Sequence, residues 1–81
     1  MTDTNADTPV QNQTTKIVVS GMTCGHCVSS VKEELAELPG VESVSVDLNA
    51  GGVSPVIIES TRELTSEEIA AAVEEAGYTV V

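Results

Sequence analysis

The chain has 81 residues, with three basic side chains against thirteen acidic ones for a formal charge of −10. That length allows one small domain with a modest core and leaves little room for a large enzyme cleft. The charge repels phosphate backbones and anionic lipid headgroups, and Tyr78, the sole aromatic, offers no stacking platform for bases, so nucleic acid and direct membrane binding are excluded as functions.

Residues 1–14 are mostly Thr, Asp, Asn and Gln, with Met1, Ala6, Pro9 and Val10 besides, too polar to offset the entropy of ordering, and they are expected to form a disordered polar tail. No basic n-region or apolar h-region opens the chain, and no apolar run approaches the roughly 20 residues of a membrane span. A cytoplasmic location is therefore expected. From residue 15 the composition changes, and residues 15–81 read as the domain.

The β-branched run KIVVS predicts a buried strand that Gly21 and the loop GMTCGHC terminate. Apolar residues at Val28, Val31, Leu35 and Leu38 then form one stripe of a helix, stopped by Pro39 and Gly40. VESVSVDL alternates, with Val44, Val46 and Leu48 on one face and Ser43, Ser45 and Asp47 on the other, as a half-wet strand requires. The NAGG of residues 49–52 predicts a hairpin turn, and VSPVIIES is the returning strand. Thr65 with Glu68 forms a capping box for a second helix whose stripe is Ile69, Ala72, Val73 and Ala76. Gly77 is its C-cap and YTVV a short final strand. The order βαββαβ predicts an α+β, ferredoxin-like sandwich, a four-stranded antiparallel sheet with both helices on one face. Pro55 falls in the central third strand of that topology, so regular pairing is expected to begin near Val56 or to contain a bulge there.

The loop between the first strand and first helix carries the chemistry. Cys27 falls in the opening turn and Cys24 just before it, where free N–H groups and the positive end of the helix dipole favour thiolate. Two cysteines three positions apart close too small a loop to staple a fold. Soft thiolates select Cu(I), zinc or iron–sulfur clusters. Two sulfurs satisfy Cu(I), whereas structural zinc wants four ligands and the chain has no second Cys or His pair. An open flank also suits transfer, because an incoming thiolate binds before the first leaves. The rival of another class is a thiol–disulfide redox protein; an aromatic before the first Cys and a proline between the two, usual in thioredoxin-like centres, are absent. Zinc or mercury handling by the same scaffold is a further alternative. No acid–base pair, nucleophilic Ser–His or phosphate-cradling loop supports an enzyme.

The strand–MTCGHC–helix arrangement, together with EEAGY near the end, resembles the heavy-metal-associated domains, and among them the bacterial cytoplasmic copper chaperones. The resemblance spans residues 15–81. It implies Cu(I) held by Cys24 and Cys27, with Ag(I) able to substitute, handed by ligand exchange to a P-type copper-exporting ATPase, and it permits a copper-bridged homodimer. An excised metal-binding domain of such an ATPase has the same pattern. Around the ligands, Met22 is expected to plug the core beneath the loop, Thr23 to place a hydroxyl near the helix start, and Gly25 to let the backbone turn tightly. Tyr78 completes the core and, by the resemblance, brings its hydroxyl near the site. His26 has two readings, a solvated first-turn side chain or a group that tunes the thiolates or ligates copper across a dimer. The Glu-rich helix faces are either solvated surface or a docking face for a basic partner.

Overall fold

The computed structural model describes residues 13–81. The elements are β1 (Gln13–Ser20), α1 (Gly25–Ala36), β2 (Val41–Val46), β3 (Val53–Ser60), α2 (Ser66–Glu75) and β4 (Thr79–Val80). The strands form one antiparallel sheet in the order β2-β3-β1-β4. Alternation along β3 is clean: Ser54, Val56, Ile58 and Ser60 are buried, while Val53, Pro55, Ile57 and Glu59 are exposed. The buried set meets Val31 and Leu35 of α1 and Ile69, Ala72 and Val73 of α2, so both helices cover the same face. Burying these side chains supplies the main stabilisation, at about 1.5–3 kcal/mol for each fully buried Val, Leu or Ile. The two buried serines are satisfied: Ser54 Oγ accepts from the Asn49 N–H at 2.9 Å, and Ser60 Oγ donates to the Arg62 carbonyl at 2.6 Å.

The polar tail expected over residues 1–14 lies outside the described residues except at its end, where a correction is needed. Gln13 and Thr14 belong to β1, paired with Ser60 and Glu59. Their polar side chains suit an exposed stretch whose order comes from backbone pairing.

Pro55 departs only partly from expectation. Toward β2 the ladder ends at Val46 opposite Val56, but toward β1 it continues unbroken through Pro55 to Val53. The Pro55 carbonyl accepts from the Asp47 N–H at 2.9 Å, so the missing proline donor faces β2 just where that strand finishes. The register shift lies instead in β2, between Val41 and Ser43. Leu48 is also outside the strand: β2 stops at Val46, and Leu48 stands 37% exposed in a six-residue connection. Within that connection the turn over residues 49–52 closes by Gly52 N–H to the Asn49 carbonyl at 3.0 Å, with Gly51 at φ 82°.

The capping box at α2 is complete. The Thr65 hydroxyl accepts from the Glu68 N–H at 3.1 Å, and the Glu68 carboxylate accepts from the Thr65 N–H at 3.2 Å while pairing with Arg62. Arg62 Nε reaches the Pro39 carbonyl as well, tying the α1–β2 turn to the start of α2. The Arg62 ion pair, followed by the Thr65 main chain, holds the Glu68 carboxyl at about 2. A carboxyl lowered on folding contributes stability fully present above its ordinary pKa of 4.5 and lost as pH falls toward 2. The melting temperature should therefore drop across that interval in wild type and drop less in Glu68→Gln, as read by circular dichroism. At neutral pH, Thr65→Ala should cost about 1 kcal/mol, or about 4–8 °C in melting temperature.

Candidate metal site

Three loops meet at one end of the sandwich. The β1–α1 loop begins at Gly21, whose φ of 98° turns the chain sharply out of the strand. A Cβ at Gly21 would lie 3.3 Å from Tyr78 Cδ1, so glycine also lets the Tyr78 ring lie against the backbone. Met22 follows and is fully buried in the core. Its carbonyl accepts from the Gly51 N–H at 3.4 Å, joining the β2–β3 connection to the loop. With Met22 anchored beneath, Thr23 and Cys24 emerge at the surface two steps later.

Cys24 is the N-cap of α1 in extended conformation, its carbonyl accepting from Cys27 at 3.1 Å and Val28 at 3.2 Å. No side chain caps this end, and the first turn carries no acidic group. The two sulfurs are therefore the groups available to answer the helix's free N–H donors and positive dipole. They stand 3.7 Å apart, both free, with Cys24 exposed and Cys27 half-buried. That spacing is well beyond the roughly 2.05 Å of a disulfide and within the span of one ion held by metal–sulfur bonds of about 2.3 Å. The Thr23 hydroxyl lies 3.7 Å from Cys27 Sγ.

The third loop supplies Tyr78. α2 ends in a Schellman motif, with Gly77 N–H to the Glu74 carbonyl at 2.9 Å and Tyr78 N–H to the Val73 carbonyl at 3.1 Å. Gly77 holds φ 96°, the left-handed value that motif needs. This fixed exit aims Tyr78 back across Gly21 toward Cys27. The Thr23 main chain, then the Tyr78 hydroxyl, then the Thr23 hydroxyl and the Cys24 main chain pull the Cys27 thiol from 9.0 down to about 6. Reciprocally, hydrogen bonding to Cys27 pushes the Tyr78 phenol up. Cys27 is thus mainly thiolate at neutral pH. Its alkylation rate should rise through a midpoint near 6, and Tyr78→Phe should move that midpoint upward, measured by mass spectrometry on a Cys24→Ser background.

The structure brings Cys24, Cys27, Thr23 and Tyr78 together and places Met22 underneath. His26 is exposed on the first turn of α1. Gly25 departs from its expected role: the tight turn is made at Gly21, while Gly25 simply opens α1 without a positive φ. An added Cβ at Gly25 meets nothing within 4 Å, so the space beside the helix start is open there. Sequence reasoning did not find the Met22–Gly51 link. Among the described residues, no group of three or more His, Cys, Asp or Glu is placed to hold a metal. No described helix is long and apolar enough to cross a membrane.

A four-stranded sandwich presenting an open, two-sulfur, thiolate-favouring loop has a donor set suited to a thiophilic ion. The family model of the heavy-metal-associated domain matches residues 16–79. The chain belongs to that family, and its relatives include both carriers and transporter segments. It is 40% identical over 62 residues to the copper chaperone CopZ of Bacillus subtilis, covering 76% of this chain and 87% of that protein. It is 35% identical over 65 residues to copper-transporting ATPase 2 of Homo sapiens, covering 80% of this chain but only 4% of that much longer protein. The solved structure of a CopZ metallochaperone superposes with a TM-score of 0.70 at 32% identity, over 85% of this chain and all of that one.

Proposed function

We propose that this chain is a Cu(I) metallochaperone, not an enzyme, that holds the ion between Cys24 and Cys27 in the cytoplasm. It passes the ion by thiolate exchange to a P-type copper-exporting ATPase. The observation that carries the reading is the pair of sulfurs 3.7 Å apart, one exposed and one half-buried, at an uncapped helix start. Two soft ligands suffice for Cu(I) and leave a flank for a third thiolate, so the ion can move through a shared intermediate without being released to water. Ag(I), equally soft, substitutes at the same sulfurs. Thr23 and Tyr78 keep Cys27 deprotonated without occupying the ion's own position. The CopZ relative supports the carrier role, and the human transporter supports a partner with domains like this one. His26 is exposed beside Cys27 in the first turn of α1; in a copper-bridged dimer it would tune the thiolates or add a ligand, and otherwise it is a solvated side chain.

The test is an anaerobic Cu(I) titration of the reduced protein against a competing chelator, followed by mixing with the metal-binding domain of a copper-transporting ATPase. Binding that perturbs Cys24, Cys27 and Tyr78 in NMR spectra, survives excess zinc and ends in transfer is the expected result. Weak binding with a readily cycled Cys24–Cys27 disulfide would move the protein to the redox class.

A further inference from the structure

The row of residues that β3 turns into the core is apolar except at its two ends, where Ser54 and Ser60 are fully buried. Ser60 closes the far end of the strand on Arg62, whereas Ser54 sits at the metal end and reaches into the β2–β3 connection, its Oγ accepting from the Asn49 N–H at 2.9 Å. Asn49 is held twice more. Its Nδ2 donates to the Val53 carbonyl at 3.4 Å, and its own carbonyl accepts from the Gly52 N–H at 3.0 Å. The turn so fixed carries Gly51 at φ 82° and points the Gly51 N–H at the Met22 carbonyl, 3.4 Å away. Among the described residues, that is the one main-chain hydrogen bond tying residues 21–23 to another part of the fold. A contact at the long end of the hydrogen-bond range is easily lost, so it depends on the anchors that hold the turn.

What that bond grips is one rigid unit. The Met22–Thr23 peptide is planar and trans, so its C=O and N–H share a plane and point opposite ways. On one side Gly51 holds the oxygen; on the other, the Thr23 N–H bonds the Cys27 sulfur. We infer that Ser54 and Gly51 are positioning residues of the metal site: through the 49–52 turn they fix this peptide, and the peptide in turn fixes where the Cys27 sulfur sits. The inference rests on the Cu(I) reading above and deepens it. A donor at the Met22 carbonyl polarises the peptide and strengthens its N–H as a donor to sulfur. It also keeps the plane from rotating, which would swing that N–H away and free Cys27 to take another rotamer. Cys24, extended at φ −157° and ψ 177°, follows one residue on, so the same anchor serves both ligands. The sulfurs therefore keep the 3.7 Å separation that lets one ion bridge them. The clasp accounts for Ser54, since an apolar side chain would suit that row better if packing were all that mattered. It accounts equally for Gly51, where an added Cβ would meet nothing within 4 Å but a β-branched residue resists φ 82°.

The test compares Ser54→Ala, Gly51→Val and Gly51→Asn with wild type. Asparagine tolerates the left-handed region that valine does not, so it is the conservative rescue at that position. The Thr23 amide proton is read by NMR in the metal-free, reduced protein. The Cu(I) dissociation constant is then read by competition with a chelator, at a temperature where circular dichroism shows each variant folded. Ser54→Ala and Gly51→Val are expected to move the Thr23 amide upfield and to raise the dissociation constant about tenfold or more, as loss of an outer partner does. Gly51→Asn should recover most of both. Folded variants that leave the Thr23 amide unmoved, or that hold Cu(I) within about threefold of wild type, overturn the inference, and a lowered melting temperature alone then marks the turn as purely structural. Equal losses in Gly51→Asn and Gly51→Val overturn it too, because backbone geometry at that residue would not be what matters. Should Gly51→Val fail to fold, Ser54→Ala, which removes a single hydroxyl, decides. A wild-type protein that does not bind Cu(I) sinks the chaperone reading, while the metal-free Thr23 signal, moved or unmoved, still shows whether the turn sets the peptide.

Discussion

Serine at either Cys24 or Cys27 is expected to reduce Cu(I) affinity by far more than the roughly 10–100-fold that loss of an outer partner costs a metal site. The replacement removes one of two ligands and offers a hard, un-ionised oxygen to a soft ion. Among the described residues no group of three or more His, Cys, Asp or Glu is placed to hold the ion in their stead. The fold should hardly notice, since Cys24 is exposed and Cys27 only half-buried, and changes at such positions usually stay within about 0.5 kcal/mol. Competition titrations against a chelator, paired with thermal melts, separate the two effects. A single variant that keeps affinity within about tenfold of wild type would show that another group holds the ion, and the two-thiolate reading would fall. Tyr78→Phe is the useful contrast. It keeps both sulfurs and weakens only the support for the Cys27 thiolate, so its loss should stay in the outer-partner range and shrink as pH rises well above 6.

The parts of the fold legible in the sequence were those written as periodicity or as cap chemistry. Val31 and Leu35, or Val56 and Ile58, declare themselves because a helix stripe and a strand alternation are local patterns. Thr65, Glu68 and Gly77 are equally local, each satisfying backbone groups within one turn. The extra strand residues Gln13 and Thr14 were not legible, because their order comes from pairing with Ser60 and Glu59 and not from their own character. Leu48 misled for the opposite reason: alternation continued past Val46, while the chain left the sheet to make the Asn49 turn. In the site, Cys24 and Cys27 were visible as a spaced pair of a distinctive residue type. The Tyr78 approach to Gly21 was not visible without the resemblance, because it depends on the angle at which the Schellman motif releases the chain.

Met22 is where fold and site are joined, and shortening it should produce the largest loss of stability. The side chain is fully buried, and Met22→Ala should cost about 2–5 kcal/mol through lost burial and the cavity left behind. A domain of this size has roughly 4–10 kcal/mol in total, so the variant sits near the edge of unfolding. Its loop would loosen first, since the Met22 carbonyl is the acceptor for Gly51 and Cys24 stands only two residues on. Met22→Leu keeps nearly the same volume and should cost less than about 1.5 kcal/mol. The pair of variants therefore asks what the thioether sulfur does. If Met22 acts through packing, the leucine variant binds Cu(I) as wild type does, while the alanine variant loses stability and affinity together in denaturant melts and competition titrations. A leucine variant that stays folded yet binds copper substantially more weakly would instead place the Met22 sulfur on the ion, and the core role assigned to it would be wrong.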